Sequence, residues 1–279
     1  MSTENDTFLL GLSNEGGARV LAVDATASAN EVVRRHGLTG HAAQTAAEGM
    51  VAAQLMSAYI KGEERLTLQV QAEAPRFAMI VDVNADGTTR GRFTPSFINR
   101  SRPMRGAIMV IKHDAQRELY RGVAPIEDTD FQGALQAFLV HSQQSEGIVR
   151  VQACVDPQGV VTQAHGLLVE KLPDQESDVF AELFGTIVDA ELAVVLPAAV
   201  GGELWGFPLK VLETRALRFH CPCSHQRSLD ILAGLGAVEL ADMIEQQGGA
   251  EITCNFCLEP YAFDAEDLRQ LIRDIEAPN

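Results

Sequence analysis

Four of the chain's five cysteines stand in two close pairs within its last quarter. They are Cys221-Pro222-Cys223 and Cys254-Asn255-Phe256-Cys257, with 30 residues between the pairs. Zinc takes four soft ligands in a tetrahedron, with sulfur at about 2.3 Å. Two short-spaced pairs, folded together by the segment between them, supply that set. Cys221, Cys223, Cys254 and Cys257 are therefore the candidate ligands of one Zn2+ ion. His220 and His225 flank the first pair and are left outside the set, because histidines beside a thiolate site more often support the ligands than replace them. Cys154 stands alone in the alternating stretch Arg150 to Val155 and reads as a small buried apolar residue.

Clustered cysteines mean metal before disulfide only where thiols stay reduced. Glu4 and Asp6 ahead of Phe8-Leu9-Leu10 give neither the basic start nor the long apolar run of a secretory signal. The most apolar stretch, Leu192 to Val200, carries Pro197 and falls well short of the roughly 20 residues that a membrane span needs. The expectation is a cytoplasmic protein with no membrane partner. Its 38 acidic against 22 basic residues leave a formal charge of -16, which repels a polyanion, so nucleic acid is not expected as a partner. None of Lys61, Lys112, Lys171 and Lys210 lies between Gly and Ser or Thr, so the chain has no Walker A loop.

Periodicity divides the chain in three. Residues 1–172 read as an N-terminal mixed α/β domain of class α+β. A short strand over Arg19 to Asp24 leads to a helix carrying Val32 and Val33, capped by Thr26 or Ser28 and stopped by Gly37. A longer Ala- and Met-rich helix runs from about His41 to Tyr59. The period then becomes two through Leu66 to Gln71, Phe77 to Val83, Arg90 to Phe93, Ala107 to Ile111 and Glu118 to Val123. A helix from Asp130 to Ser142 precedes a hairpin of Ile148 to Val155 with Val160 to Val169. Residues 173–217 read as a helical linker, with one amphipathic helix over Val179 to Val188 and a second over Leu192 to Leu196. Residues 218–279 read as a small zinc-binding unit: two helices, a hairpin closing on Cys257, and a final helix capped by Asp264.

A structural zinc alone would account for so small a unit, which has few aromatics and gains its missing stability from metal. The first pair adds a second possibility. A Cys-x-Cys disulfide closes a very small ring, and strained disulfides are comparatively oxidising. Such a bond would form under oxidant and be reversed by cellular reductants. Removing thiolates would release the metal and, with it, binding energy of about 10 kcal/mol or more.

The Cys-x-Cys, the gap and the Cys-x-x-Cys resemble the redox-switch domain of the heat-shock protein 33 family of bacterial chaperones. Arg218-Phe219-His220-Cys221-Pro222-Cys223-Ser224 and Tyr261-Ala262-Phe263 resemble its local context. Val23-Asp24-Ala25-Thr26, Leu66 to Gln71 and Tyr120-Arg121-Gly122-Val123 extend the likeness upstream. Leu258 stands where a glycine is common in that family. The resemblance implies a stress-response, ATP-independent holdase rather than an enzyme, inactive while reduced and bound to one Zn2+. It further implies that oxidation pairs Cys221 with Cys223 and Cys254 with Cys257, releases zinc, and unfolds switch and linker. The active form would then bind unfolding client proteins, keep them fit for refolding, and commonly be a homodimer. The alternative is a structural zinc-ribbon-like regulatory or nucleic-acid-binding protein; against it, residues 218–279 hold 4 arginines and no lysine beside 11 acids. A thiol oxidoreductase is disfavoured because Pro260 and a strand, not a helix, follow Cys257.

Overall fold

The computed structural model describes residues 6–13, 17–95, 98, 103–142, 146–172, 185–187 and 191–277. Contacts divide the chain into two units, Met1–His220 and Cys221–Asn279.

Among the described residues the first unit holds eleven strands: β1 (Asp6–Ser13), β2 (Ala18–Asp24), β3 (Arg65–Ala74), β4 (Arg76–Asn84), β5 (Thr88–Thr94), β6 (Met104–His113), β7 (Glu118–Thr129), β8 (Gly147–Val155), β9 (Val161–Lys171), β10 (Glu203–Leu204) and β11 (Phe207–Phe219). Its helices are α1 (Thr26–His36), α2 (Gly40–Met56), α3 (Phe131–Ser142) and α4 (Leu192–Val200). The sheet runs β7-β6-β3-β4-β5-β11-β1-β2-β9-β8, with β10 paired to β11. Each hairpin read from the sequence is present, in antiparallel register.

Helix α2 is apolar nearly all round, as a helix enclosed in a core must be. It packs on β2, β4, β5, β8 and β9. Met50, Met56, Met79 and Met104 are all core residues there, which suits a flexible side chain that fills gaps. On the opposite face of β1, β2 and β9, a second cluster joins Leu9, Val20, Ala22, Leu167 and Val169 to Leu192, Val195 and Ala199 of α4. Covered on both faces, β2 buries Val20, Leu21, Ala22 and Val23 in succession, and strict alternation disappears.

Two local expectations are corrected. The N-terminus of α1 is not capped by Thr26 or Ser28. Asp6, reaching across from β1, accepts the N–H groups of Ala27 and Ser28, each at 2.7 Å. Asp24 takes the Thr26 N–H at 3.0 Å, so both orphan-donor partners are carboxylates from strands. Gly37 ends the helix as expected, in the left-handed conformation at φ 58°.

The second correction concerns the linker. Leu192–Val200 is helical, but Phe207–Phe219 is a 13-residue strand inside the sheet. It lies antiparallel to β1 from Leu209↔Ser13 to Leu217↔Asp6, then parallel to β5 at Arg218 and Phe219. Only Leu209 and Leu217 of β11 are buried, and the alternation of Phe207, Leu209 and Val211 lapses over Leu212 to Ala216, which leaves the strand weakly marked in sequence. What places it there is the edge of β1, whose backbone groups need partners. Arg215 adds a side-chain anchor. Its guanidinium lies 4.4 Å over the Phe8 ring, donates to Ser57 Oγ at 2.7 Å and also donates to the Ala85 carbonyl. The helix expected over Val179 to Val188 lies outside the described residues apart from 185–187.

The second unit contains α5 (His225–Ala233), α6 (Ala237–Gln247), a hairpin of β12 (Gly249–Thr253) and β13 (Pro260–Asp264), and α7 (Ala265–Glu276). Ser224 caps α5, and Asp264 with Asp267 forms a complete capping box on α7. Its buried apolar core is small: Leu232, Leu240, Phe263 and Leu268.

Candidate metal centre

Two pieces of chain, each turning sharply, bring the thiols together. Cys221 and Cys223 occupy the stretch leading into α5, where the Ser224 cap fixes the direction of exit. Cys254 to Cys257 form the turn between β12 and β13. That turn is closed by Cys254 N–H to Glu259 O at 3.0 Å and Leu258 N–H to Cys254 O at 2.8 Å. Leu258 adopts φ 57°, the left-handed region that a glycine enters without penalty. The turn therefore keeps its geometry with leucine in place, at a local conformational cost.

All four Sγ atoms lie within 4.8 Å of one another, and among the described residues they are the one such group of His, Cys, Asp or Glu placed to hold a metal ion. Cys221 Sγ is 3.7 Å from Cys254 Sγ, and Cys223 Sγ is 3.2 Å from Cys257 Sγ. A zinc tetrahedron with sulfur at about 2.3 Å has edges of about 3.8 Å, so the four thiols are close enough together to hold that ion. The donor chemistry agrees, since four soft sulfurs select zinc over oxygen-seeking cations.

Backbone donors converge on the cluster as they do where thiolates are to be held. Burial opposes ionisation of Cys254, but N–H groups of Cys257 and Phe256 and the neighbouring thiols of Cys257 and Cys221 outweigh it and bring it down to about 7. Burial pushes the Cys221 thiol up against a hydrogen bond from the Cys223 N–H. Burial also raises Cys257, which shares protons with Cys223, Cys254 and Cys221. With Cys254 easily ionised and burial opposing ionisation of Cys221 and Cys257, the cluster needs a cation to become fully thiolate.

The flanking histidines stay out of the group. His225 packs its ring against Phe263 at 4.5 Å between centroids, the His220 backbone N–H continues the strand pairing to the Thr89 carbonyl at 2.8 Å, and neither ring joins the four-thiol group. Cys154 is half-buried in β8 and belongs to the other unit. One participant escaped the sequence reading. The Tyr261 hydroxyl donates to Cys223 Sγ at 3.1 Å. Tyr261 enters the sequence reading as a strand residue and as part of the Tyr261-Ala262-Phe263 context of the second cysteine pair, but with no role of its own at the site.

Comparison with known proteins agrees over nearly the whole length. The family model described as Hsp33 protein matches residues 6–264. A 33 kDa chaperonin of Bacillus subtilis is 29% identical over 95% of this chain and 98% of its own. One from Bacillus pumilus is 30% identical over 97% and 99%. The crystal structure of the 33 kDa chaperonin (heat shock protein 33 homologue) from Thermotoga maritima superposes with a TM-score of 0.84 at 20% identity, covering 97% of this chain and 98% of that one.

Proposed function

The chain belongs to the Hsp33 family, a family of chaperones rather than enzymes, and from that membership together with its thiol cluster we propose a redox-regulated, ATP-independent holdase. The observation that carries the proposal is the convergence of four thiols in a unit whose fully buried apolar cluster, among the described residues, is small. So small a core does not hold a unit of this length by itself, and a cross-link at the cysteines supplies what is missing.

Zinc bound by the four thiolates would tie the turn after β12 to the segment before α5. Cys221, Cys223, Cys254 and Cys257 are the residues that would hold it. Oxidation withdraws those thiolates as Cys221–Cys223 and Cys254–Cys257 disulfides, the pairing that the family resemblance implies. Each disulfide gives two electrons to one peroxide, which takes up two protons and leaves as two waters. Without its cross-link the second unit opens, and β11, which ends two residues before Cys221, becomes the next element under strain. The unfolded segments and the surface they uncover then engage unfolding client proteins, in the cytoplasm and as a homodimer. No nucleotide is required, in keeping with the missing Walker A loop.

The test is aggregation of a chemically unfolded protein, followed by light scattering without nucleotide. The reduced, zinc-loaded form is compared with a form treated with peroxide at mild heat and shown to be zinc-free. Suppression by the oxidised form alone is expected, with peptide mapping giving disulfides within each cysteine pair. Equal behaviour of the two forms would leave a structural zinc protein and remove the switch.

A further inference from the structure

We propose that Tyr261 is a positioning residue for Cys223: its hydroxyl holds that sulfur as a metal ligand and slows its attack on oxidants. The inference rests on reading the cluster as a zinc site opened by oxidation.

The hairpin register fixes the geometry. Ile252 pairs with Tyr261 and Thr253 with Pro260, so Tyr261 stands beside the mouth of the turn that carries Cys254 and Cys257. Its side chain is half-buried and reaches across to the other cysteine pair, ending 3.1 Å from Cys223 Sγ with the hydroxyl as donor. The donors at Cys221, Cys254 and Cys257 are backbone N–H groups of Cys223, of Phe256 and Cys257, and of Glu259 respectively. Those donors persist whatever side chains surround them. The donor at Cys223 is a side chain, so it is the one that a single substitution deletes.

An O–H donating to a thiolate draws electron density from sulfur and occupies one of its lone pairs. Two consequences oppose each other in a cysteine that must both bind metal and react. Ligand orientation is held, because groups that orient metal ligands commonly account for 10- to 100-fold in affinity. Nucleophilicity is lowered, because the lone pair that would meet peroxide is engaged. The chemistry at stake is explicit. The Cys223 thiolate attacks a peroxide oxygen, an S–O bond forms, the O–O bond breaks, and hydroxide leaves to be protonated to water. The Cys221 thiolate then attacks the Cys223 sulfur, an S–S bond forms, the S–O bond breaks, and a second hydroxide leaves. Peroxide receives the two electrons.

The experiment uses the full-length, reduced, zinc-loaded chain. Zinc affinity is read by competition with a chromogenic chelator. The first-oxidised cysteine is read by trapping sulfenic acid under substoichiometric peroxide and mapping the label by mass spectrometry. Tyr261→Phe, which keeps the ring, is expected to weaken zinc about 10-fold and to raise labelling at Cys223 several-fold relative to the other three cysteines. 3-Fluorotyrosine at position 261, nearly the same size and a stronger donor, is expected to shift the Cys223 share the other way, and it serves if the phenylalanine variant folds poorly. Labelling that rises equally at all four cysteines, or affinity and labelling that match the unsubstituted chain, would overturn the role. A chain that binds no zinc or takes no label before any substitution would instead sink the reading on which the inference rests.

Discussion

Arg215→Ala tests whether β11 is held in the sheet by side-chain anchors or by its backbone alone. Arg215 is half-buried, and burial pulls its guanidinium below the usual arginine range while leaving it a cation. Substitution deletes the stacking on Phe8, which for a partly desolvated guanidinium is worth about 0.5–2 kcal/mol. It also deletes the bond to Ser57 Oγ, of the charged class worth about 1.5–3 kcal/mol. Ser57 keeps its own bond to Gln54 O at 2.6 Å, and the half-buried Ala85 carbonyl can turn to water, so little is stranded. The net loss is about 2–4 kcal/mol, which multiplies the opening equilibrium of the strand roughly 30-fold to several hundred-fold. Amide hydrogen exchange on the reduced, zinc-loaded protein reads this directly. Amides of β11 and their partners in β1 should exchange faster by that factor, while those of β3, β4 and β6 keep their protection. Unchanged exchange in β11 would show that Arg215 does not anchor it. A uniform rise across the first unit would show that β11 does not open separately. If the anchor reasoning holds, the variant also suppresses aggregation at lower peroxide than the parent chain.

Other outcomes follow from particular contacts. Asp6→Ala strands the Ala27 and Ser28 N–H groups and should lower the stability of the first unit by about 2–4 kcal/mol in urea. Burial raises the Asp6 carboxyl, so the folded state takes up its proton at higher pH than the unfolded state does. That linked contribution is fully present below an unfolded value of about 3.9 and is lost as pH rises through the folded value. The parent chain should therefore gain on a non-titrating Asp6→Asn variant as pH falls from 7 toward 4; a constant gap across that range would contradict it. Leu258→Ile keeps volume but puts a β-branched residue at φ 57°, and should weaken zinc retention by about 1 kcal/mol, roughly five-fold in a chelator titration. No difference between the two isomers would mean that the turn does not strain its occupant.

The thiol cluster was legible because its signal is local. Two short spacings and a helical segment between them determine the site, and neither His220 nor His225 was needed to complete it. The same is true of the hairpins of β3 with β4, β4 with β5, β6 with β7 and β8 with β9, where alternation and turn residues act over short distances. What escaped was long-range. Asp6 caps a helix 21 and 22 residues away from another element, and nothing near Thr26 announces it. β11 carries Lys210, Glu213, Thr214 and Arg215 in its middle and buries only Leu209 and Leu217, so the alternation of Phe207, Leu209 and Val211 breaks off long before the strand does. The segment became a strand because β1, some 200 positions earlier, had an edge to satisfy. Tyr261 escaped for the opposite reason, since a hairpin tyrosine is ordinary until the folded turn aims its hydroxyl at Cys223.

The pairing of β1 with β11 has a consequence for how the chain is made. Synthesis proceeds at about 5–20 residues per second, so roughly 10–40 s separate the emergence of Asp6–Ser13 from that of its last partner strand. Throughout that interval β1 can pair with β2 on one side, but its other edge, flanked by Phe8 and Leu9, has nothing of its own to bind. A nascent protein in this state carries on one strand the liability that a holdase covers in others. β11 closes it, and the first cysteine pair follows within a few residues.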